Sequence, residues 1–138
     1  MDRARQAGCG VVFLIAAVLG GCNAAMDPAA MTELQRVSSG PLDVIVLAPH
    51  DALRRGTDTF IIEFRSGGRL VDAGTLRATA SMPMPSMPMF GNIQVRRTEA
   101  AGRYAATGEF DMAGTWRIVL EWEGPAGRGS VAFAGTVR

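Results

Sequence analysis

From Pro41 onward the chain is written in short apolar-polar alternations separated by clusters of Gly, Pro, Asp and Ser. An extended backbone sends successive side chains to opposite faces, so a period of two marks strands that bury one face and wet the other. Seven such segments can be read: Leu42–Ala48, Thr57–Arg65, Gly74–Ser81, Phe90–Arg97, Arg103–Thr107, Thr115–Trp122 and Ser130–Val137. Phe60, Ile62 and Phe64 share a face of the second. Trp116, Ile118, Leu120 and Trp122 share a face of the sixth, and Val131, Phe133 and Val137 a face of the seventh. Between them, Arg54-Arg55-Gly56, Ser66-Gly67-Gly68-Arg69, Ala101-Gly102 and Gly124-Pro125-Ala126-Gly127 carry the Gly and Pro that reversals need. About seven strands at this spacing predict an all-β fold, an immunoglobulin-like antiparallel β-sandwich over residues 41–138, with a small barrel as the alternative closure.

A length of 138 residues leaves room for one such domain after an N-terminal leader. Apolar residues make up 48% of the chain, and a domain of roughly 100 residues buries about 60–70% of its unfolded surface, so the core needs no disulfide or structural metal. The formal charge is +1, and without Asp2, Arg3 and Arg5 acids and bases balance. No basic stripe remains to neutralise phosphates, which argues against nucleic acid as a partner. Every basic residue is Arg, a pattern that codon bias explains more simply than anion recognition.

The first residues read as targeting. Arg3 and Arg5 form a positive region ahead of the apolar run Val11–Leu19, which Gly20-Gly21 closes too early for a membrane span of about 20 residues. Leu19-Gly20-Gly21-Cys22 resembles the lipobox of bacterial lipoproteins, in which the cysteine is diacylated and becomes the new first residue. The expected organisation is a lipoprotein signal peptide over 1–21, a flexible tether over 22–40 after lipidated Cys22, and the domain over 41–138. The tether shows no sustained periodicity, with a helical turn admissible around Met31–Val37. Two acyl chains suffice for a durable membrane anchor. Asn23 after the cysteine resembles lipoproteins sorted to an outer membrane, so the domain is expected in the cell envelope, outside the cytoplasm and in the periplasm of a Gram-negative cell. Cys9 and Cys22 are the two cysteines, which leaves the domain without a disulfide, a thiolate nucleophile or a Cys-based zinc site.

If successive strands alternate in direction, the connections Pro49–Gly56, Met82–Met89 and Gly108–Gly114 share one end of the sandwich. They carry the single histidine, His50, the four methionines Met82, Met84, Met87 and Met89, and the turn Glu109-Phe110-Asp111-Met112. The segment Ser81-Met82-Pro83-Met84-Pro85-Ser86-Met87-Pro88-Met89 holds half of the chain's eight methionines, interleaved with prolines that forbid a helix and favour extended backbone. Thioethers are soft ligands suited to Cu(I), so Met82, Met84, Met87, Met89, Met112 and His50 form a candidate copper site. The same methionines could instead fill the open end of the sandwich, or form an apolar partner surface. Met112, just before Ala113-Gly114-Thr115-Trp116, reads as packing beneath its turn, and His50 reads as a solvated turn residue or a ligand. Spacing does not choose among these.

The order of Gly56, Gly67-Gly68-Arg69-Leu70-Val71-Asp72-Ala73-Gly74, the Met-Pro segment, Gly102-Arg103-Tyr104 and Phe110-Asp111-Met112-Ala113-Gly114-Thr115-Trp116 resembles the YtkA-like domain and, more distantly, the FixH-like proteins, over about Pro41–Arg138. The resemblance implies a small envelope β-sandwich working beside copper-efflux or oxidase-assembly proteins, with copper as its ligand. This sequence departs from the His-containing Met-rich loops of such relatives, because its Met-Pro segment has no His.

No enzyme is expected. One His and no thiol in the mature chain assemble no triad, Glu109 and Asp111 sit two residues apart in a turn, and Gly67-Gly68 lacks the lysine and helix of a phosphate loop. The leading expectation is a lipid-anchored binding module that handles copper at the Met-rich end. The alternative is a structural or adaptor sandwich docking an envelope protein complex without metal.

Overall fold

A computed structural model describes residues 26–138. After a single 3-10 turn at Pro28–Ala30 come nine strands: β1 (Thr32–Ser39), β2 (Leu42–Ala48), β3 (Gly56–Ser66), β4 (Arg69–Leu70), β5 (Thr75–Met82), β6 (Met89–Arg97), β7 (Arg103–Phe110), β8 (Gly114–Gly124) and β9 (Gly127–Val137). The fold is all-β, with strands hydrogen-bonded in the order β1-β2-β3-β7-β6-β5-β8-β9 and the short β4 folded back on β3. Every pairing between these strands is antiparallel.

Strand β6 belongs to two sheets. Its first residues, Met89 to Gly91, pair with Met82 to Ala80 of β5, and Asn92 to Arg97 pair with β7. The transfer happens at Gly91, where an added Cβ would lie 3.0 Å from the Glu109 carbonyl oxygen and 3.3 Å from the Trp116 ring. A side chain there would press its neighbours by a few tenths of an ångström, so a glycine eases the close crossing over the indole. The result is a sandwich of two sheets joined through β6, whose inner faces meet in one core.

The alternation read from the sequence decides what lies in that core. Phe60, Ile62 and Phe64 from β3, and Trp116, Ile118, Leu120 and Trp122 from β8, are buried, as are Val131 and Val137 from β9, with Phe133 packed against them. Edge-to-face pairs link Phe64 to both Tyr104 and Trp122, and Phe110 to Trp116, which ties the facing sheets along the length of the sandwich.

Two elements differ from expectation. Residues 32–39, expected within a flexible tether and with a helical turn at Met31–Val37, form strand β1 along β2. The register shift between Glu33 and Gln35 inserts one extra residue, so that Leu34 and Val37, three apart, both pack against the core. The turn Ser66–Arg69 is followed by β4, a two-residue strand held on the end of β3. The rest of the expected tether before Met26, Cys22 and the expected signal peptide lie outside the described residues. Among the described residues no helix is long and apolar enough to cross a membrane.

Candidate binding site at the methionine end

Because neighbouring strands run antiparallel, the connections 49–55, 83–88 and 111–113 all emerge at one end of the sandwich. The start of β1 and the end of β9 lie at this end too, so the chain both enters and leaves the domain there. The opposite end carries the reversals at 40–41, 67–68, 98–102 and 125–126.

The six candidate ligands do not behave alike. Met82 and Met89 face each other as the last cross-strand pair of β5 and β6, are half-buried and pack against the core. Met82 also reaches under the β7–β8 turn, where a Cβ added to Gly114 would meet its Cε at 3.0 Å. These two methionines close the base of the loop. Above them, Pro83 to Pro88 is exposed throughout, with Met84 42% and Met87 74% exposed. Neither side chain belongs to the core cluster, and both stand in solvent.

Met112 stands apart from its sequence reading as a residue packed beneath its turn. Its side chain is 43% exposed, and what the fold holds is its backbone: the indole N–H of Trp116 donates to the Met112 carbonyl oxygen at 2.9 Å. Trp116 itself is fully buried against Phe110 and fills the space beneath the turn. Glu109 and Phe110, expected in the turn, belong to β7, and the turn contracts to Asp111, Met112 and Ala113.

His50 lies at the same end on a different loop, and that loop leans onto β9. Leu53 donates its N–H to the Thr136 carbonyl and accepts from the Arg138 N–H, and an exposed Arg138–Asp51 ion pair flanks the contact at 3.0 Å. His50 is exposed beside it. Topology therefore gathers His50 and the methionines at one end, while packing turns the His50 loop towards β9.

One residue escaped the sequence reading. Phe90 is 74% exposed immediately after the methionine hairpin, opposite Ser81. Its phase signals this: Phe90 alternates with Asn92, Gln94 and Arg96, all exposed, and opposite Ile93, which is buried. Met84, Met87, Phe90 and Met112 are the large hydrophobic side chains exposed among the described residues, and all four lie at this end. No three His, Cys, Asp or Glu side chains gather as a metal site among the described residues.

The arrangement defines a class of protein: an antiparallel β-sandwich with a methionine-lined, solvent-facing end. A model of the YtkA-like family matches residues 40–121, more than half of the chain, and the protein belongs to that family. The match includes the whole methionine hairpin and turn 111–113, and leaves β1 and β9 outside it. No curated protein and no solved structure matches the chain.

Proposed function

We propose that the protein is a non-catalytic, lipid-anchored binding module of the cell envelope, held to the membrane through Cys22, that takes Cu(I) at its methionine end. The observation that carries this reading is the division of labour among the methionines: Met82 and Met89 pack, while Met84, Met87 and Met112 present thioethers to solvent. Exposing apolar side chains forfeits burial energy, about 25 cal/mol for each Å² left in water, and a soft metal ion gives such a cluster a use. The donor set fits Cu(I) at low coordination. It does not fit zinc, which prefers thiolate, imidazole and carboxylate.

Competition with a micromolar-affinity Cu(I) chelator tests this. The wild-type protein should withdraw Cu(I), and a Met84→Leu/Met87→Leu variant should do so much less well. Phe90 favours a second reading, since an exposed phenyl ring adds to an apolar docking surface and offers nothing to copper. Absence of Cu(I) binding by the wild type would transfer the methionine end to docking an envelope protein complex.

A further inference from the structure

We propose that the methionine end of the sandwich rests against the lipid bilayer, with Met84, Met87, Phe90 and Met112 as the side chains that touch it. The proposal depends on the lipid anchor at Cys22 and describes the copper-free protein, because the same side chains cannot touch lipid and take Cu(I) from solvent at once. Its first ground is where the chain enters the fold. Asp27 caps the 3-10 turn Pro28–Ala30 through its side chain, and β1 then starts at Thr32 at the methionine end. From Cys22 to Asp27 a fully extended chain reaches at most about 18 Å. Strands β8 and β9, 11 residues each, span about 35 Å from one end of the sandwich to the other. The tether is thus about half the length of the domain. It holds the methionine end close to the anchoring surface and keeps an upright domain from presenting its opposite end.

The second ground is composition. The four exposed large hydrophobic side chains sit at the end the tether draws in, and thioethers and a phenyl ring suit the boundary between headgroups and acyl chains. Around them Arg36, Arg54, Arg55, Arg117 and Arg138 are offset by Asp27, Glu33, Asp51, Asp58, Glu109 and Asp111. With no excess of positive charge, the contact is apolar and needs no anionic lipid.

The test couples residues 22–138, which contain the whole sandwich, through the Cys22 thiol to a maleimide lipid in phosphatidylcholine nanodiscs. Chemical coupling makes the outcome independent of whether a cell acylates Cys22, a separate question answered by the intact mass of the native protein. A nitroxide near the top of the lipid acyl chains should broaden the methyl resonances of Met84, Met87 and Met112 severalfold more than those of Ala101 and Ala126 at the opposite end. Replacing Met87 and Phe90 by Ser should reduce the broadening at Met84 and leave the melting temperature unchanged. Broadening that is equal at both ends, or absent from Met84 and Met87, overturns the proposal and leaves the methionine end free for a protein.

Discussion

The two ends of this sandwich are built by opposite rules. At the end away from the methionines, charge and backbone close the structure. Glu63, buried on the face of β3 opposite Ile62 and Phe64, accepts from Arg65 at 2.7 Å and from Arg103 at 2.9 Å, and Arg65 also caps the Gly68 carbonyl. Tyr104 donates its hydroxyl to the Gly74 carbonyl at 2.8 Å, Arg97 pairs with Asp72, and Gly74 and Gly124 pack so closely that a Cβ on either would overlap backbone of the other's turn. At the methionine end the ion pairs Asp51–Arg138 and, near the start of β1, Glu33–Arg36 are exposed, and the loops present methionines and a phenyl ring to solvent. A domain whose far end is latched can carry an apolar, lightly determined end without losing its fold. Substitutions should cost stability at the latched end and beneath the methionine loops, and little on the exposed surface proposed to bind.

That contrast can be broken most forcefully from beneath the methionine end. Trp116→Ala should cost about 3–5 kcal/mol in denaturant unfolding, because a fully buried indole is removed from between Phe110 and Gly91 and the Met112 carbonyl loses its donor. A loss under about 1 kcal/mol would remove Trp116 from the core. Glu63→Ala should cost about 2–3 kcal/mol, less than the roughly 3–5 of a fully buried pair because Arg65 and Arg103 keep part of their side chains in water.

A smaller effect sharpens the comparison through pH. Burial pushes the Tyr104 phenol above its ordinary range, so the folded state holds that proton more tightly than the unfolded chain. The sign is fixed by linkage: the contribution is complete below the ordinary phenol pKa of about 10 and is lost as pH rises through the higher folded value. Tyr104→Phe should lose about 0.5–1.5 kcal/mol at neutral pH, the range for one hydrogen bond, and show a shallower alkaline decline than wild type. Smallest of all, Met84→Leu/Met87→Leu should change stability by less than about 0.5 kcal/mol, since both residues are exposed.

The strands were legible where alternation was strict. Phe60, Ile62 and Phe64, or Trp116 to Trp122, read as one face because large apolar side chains recur at every second position, although Ile61 and Val119 between them are apolar too. Strand β1 was not legible, because its bulge brings Leu34 and Val37 to the core with the spacing of a helical turn, and nothing local announces the extra residue. The convergence of loops at one end followed from antiparallel alternation alone. What the sequence could not resolve was which methionines point outwards: Met82 and Met89 differ from Met84 and Met87 through the hairpin register and the close approach of Gly114, both long-range facts. Phe90 was missed despite a usable signal, its phase with Asn92, Gln94 and Arg96.

The central claim, that the methionine end binds while the opposite end holds the fold, is tested most directly by titrating Cu(I) into the reduced domain and following its methyl resonances. The expected result is a shift of Met84, Met87 and Met112, with smaller changes at Met82 and Met89 and none at Ala101 or Ala126. The shifts should be lost for residue 112 in the Met84→Leu/Met87→Leu variant. Equal binding by that variant, or shifts centred on the far end, would contradict the account.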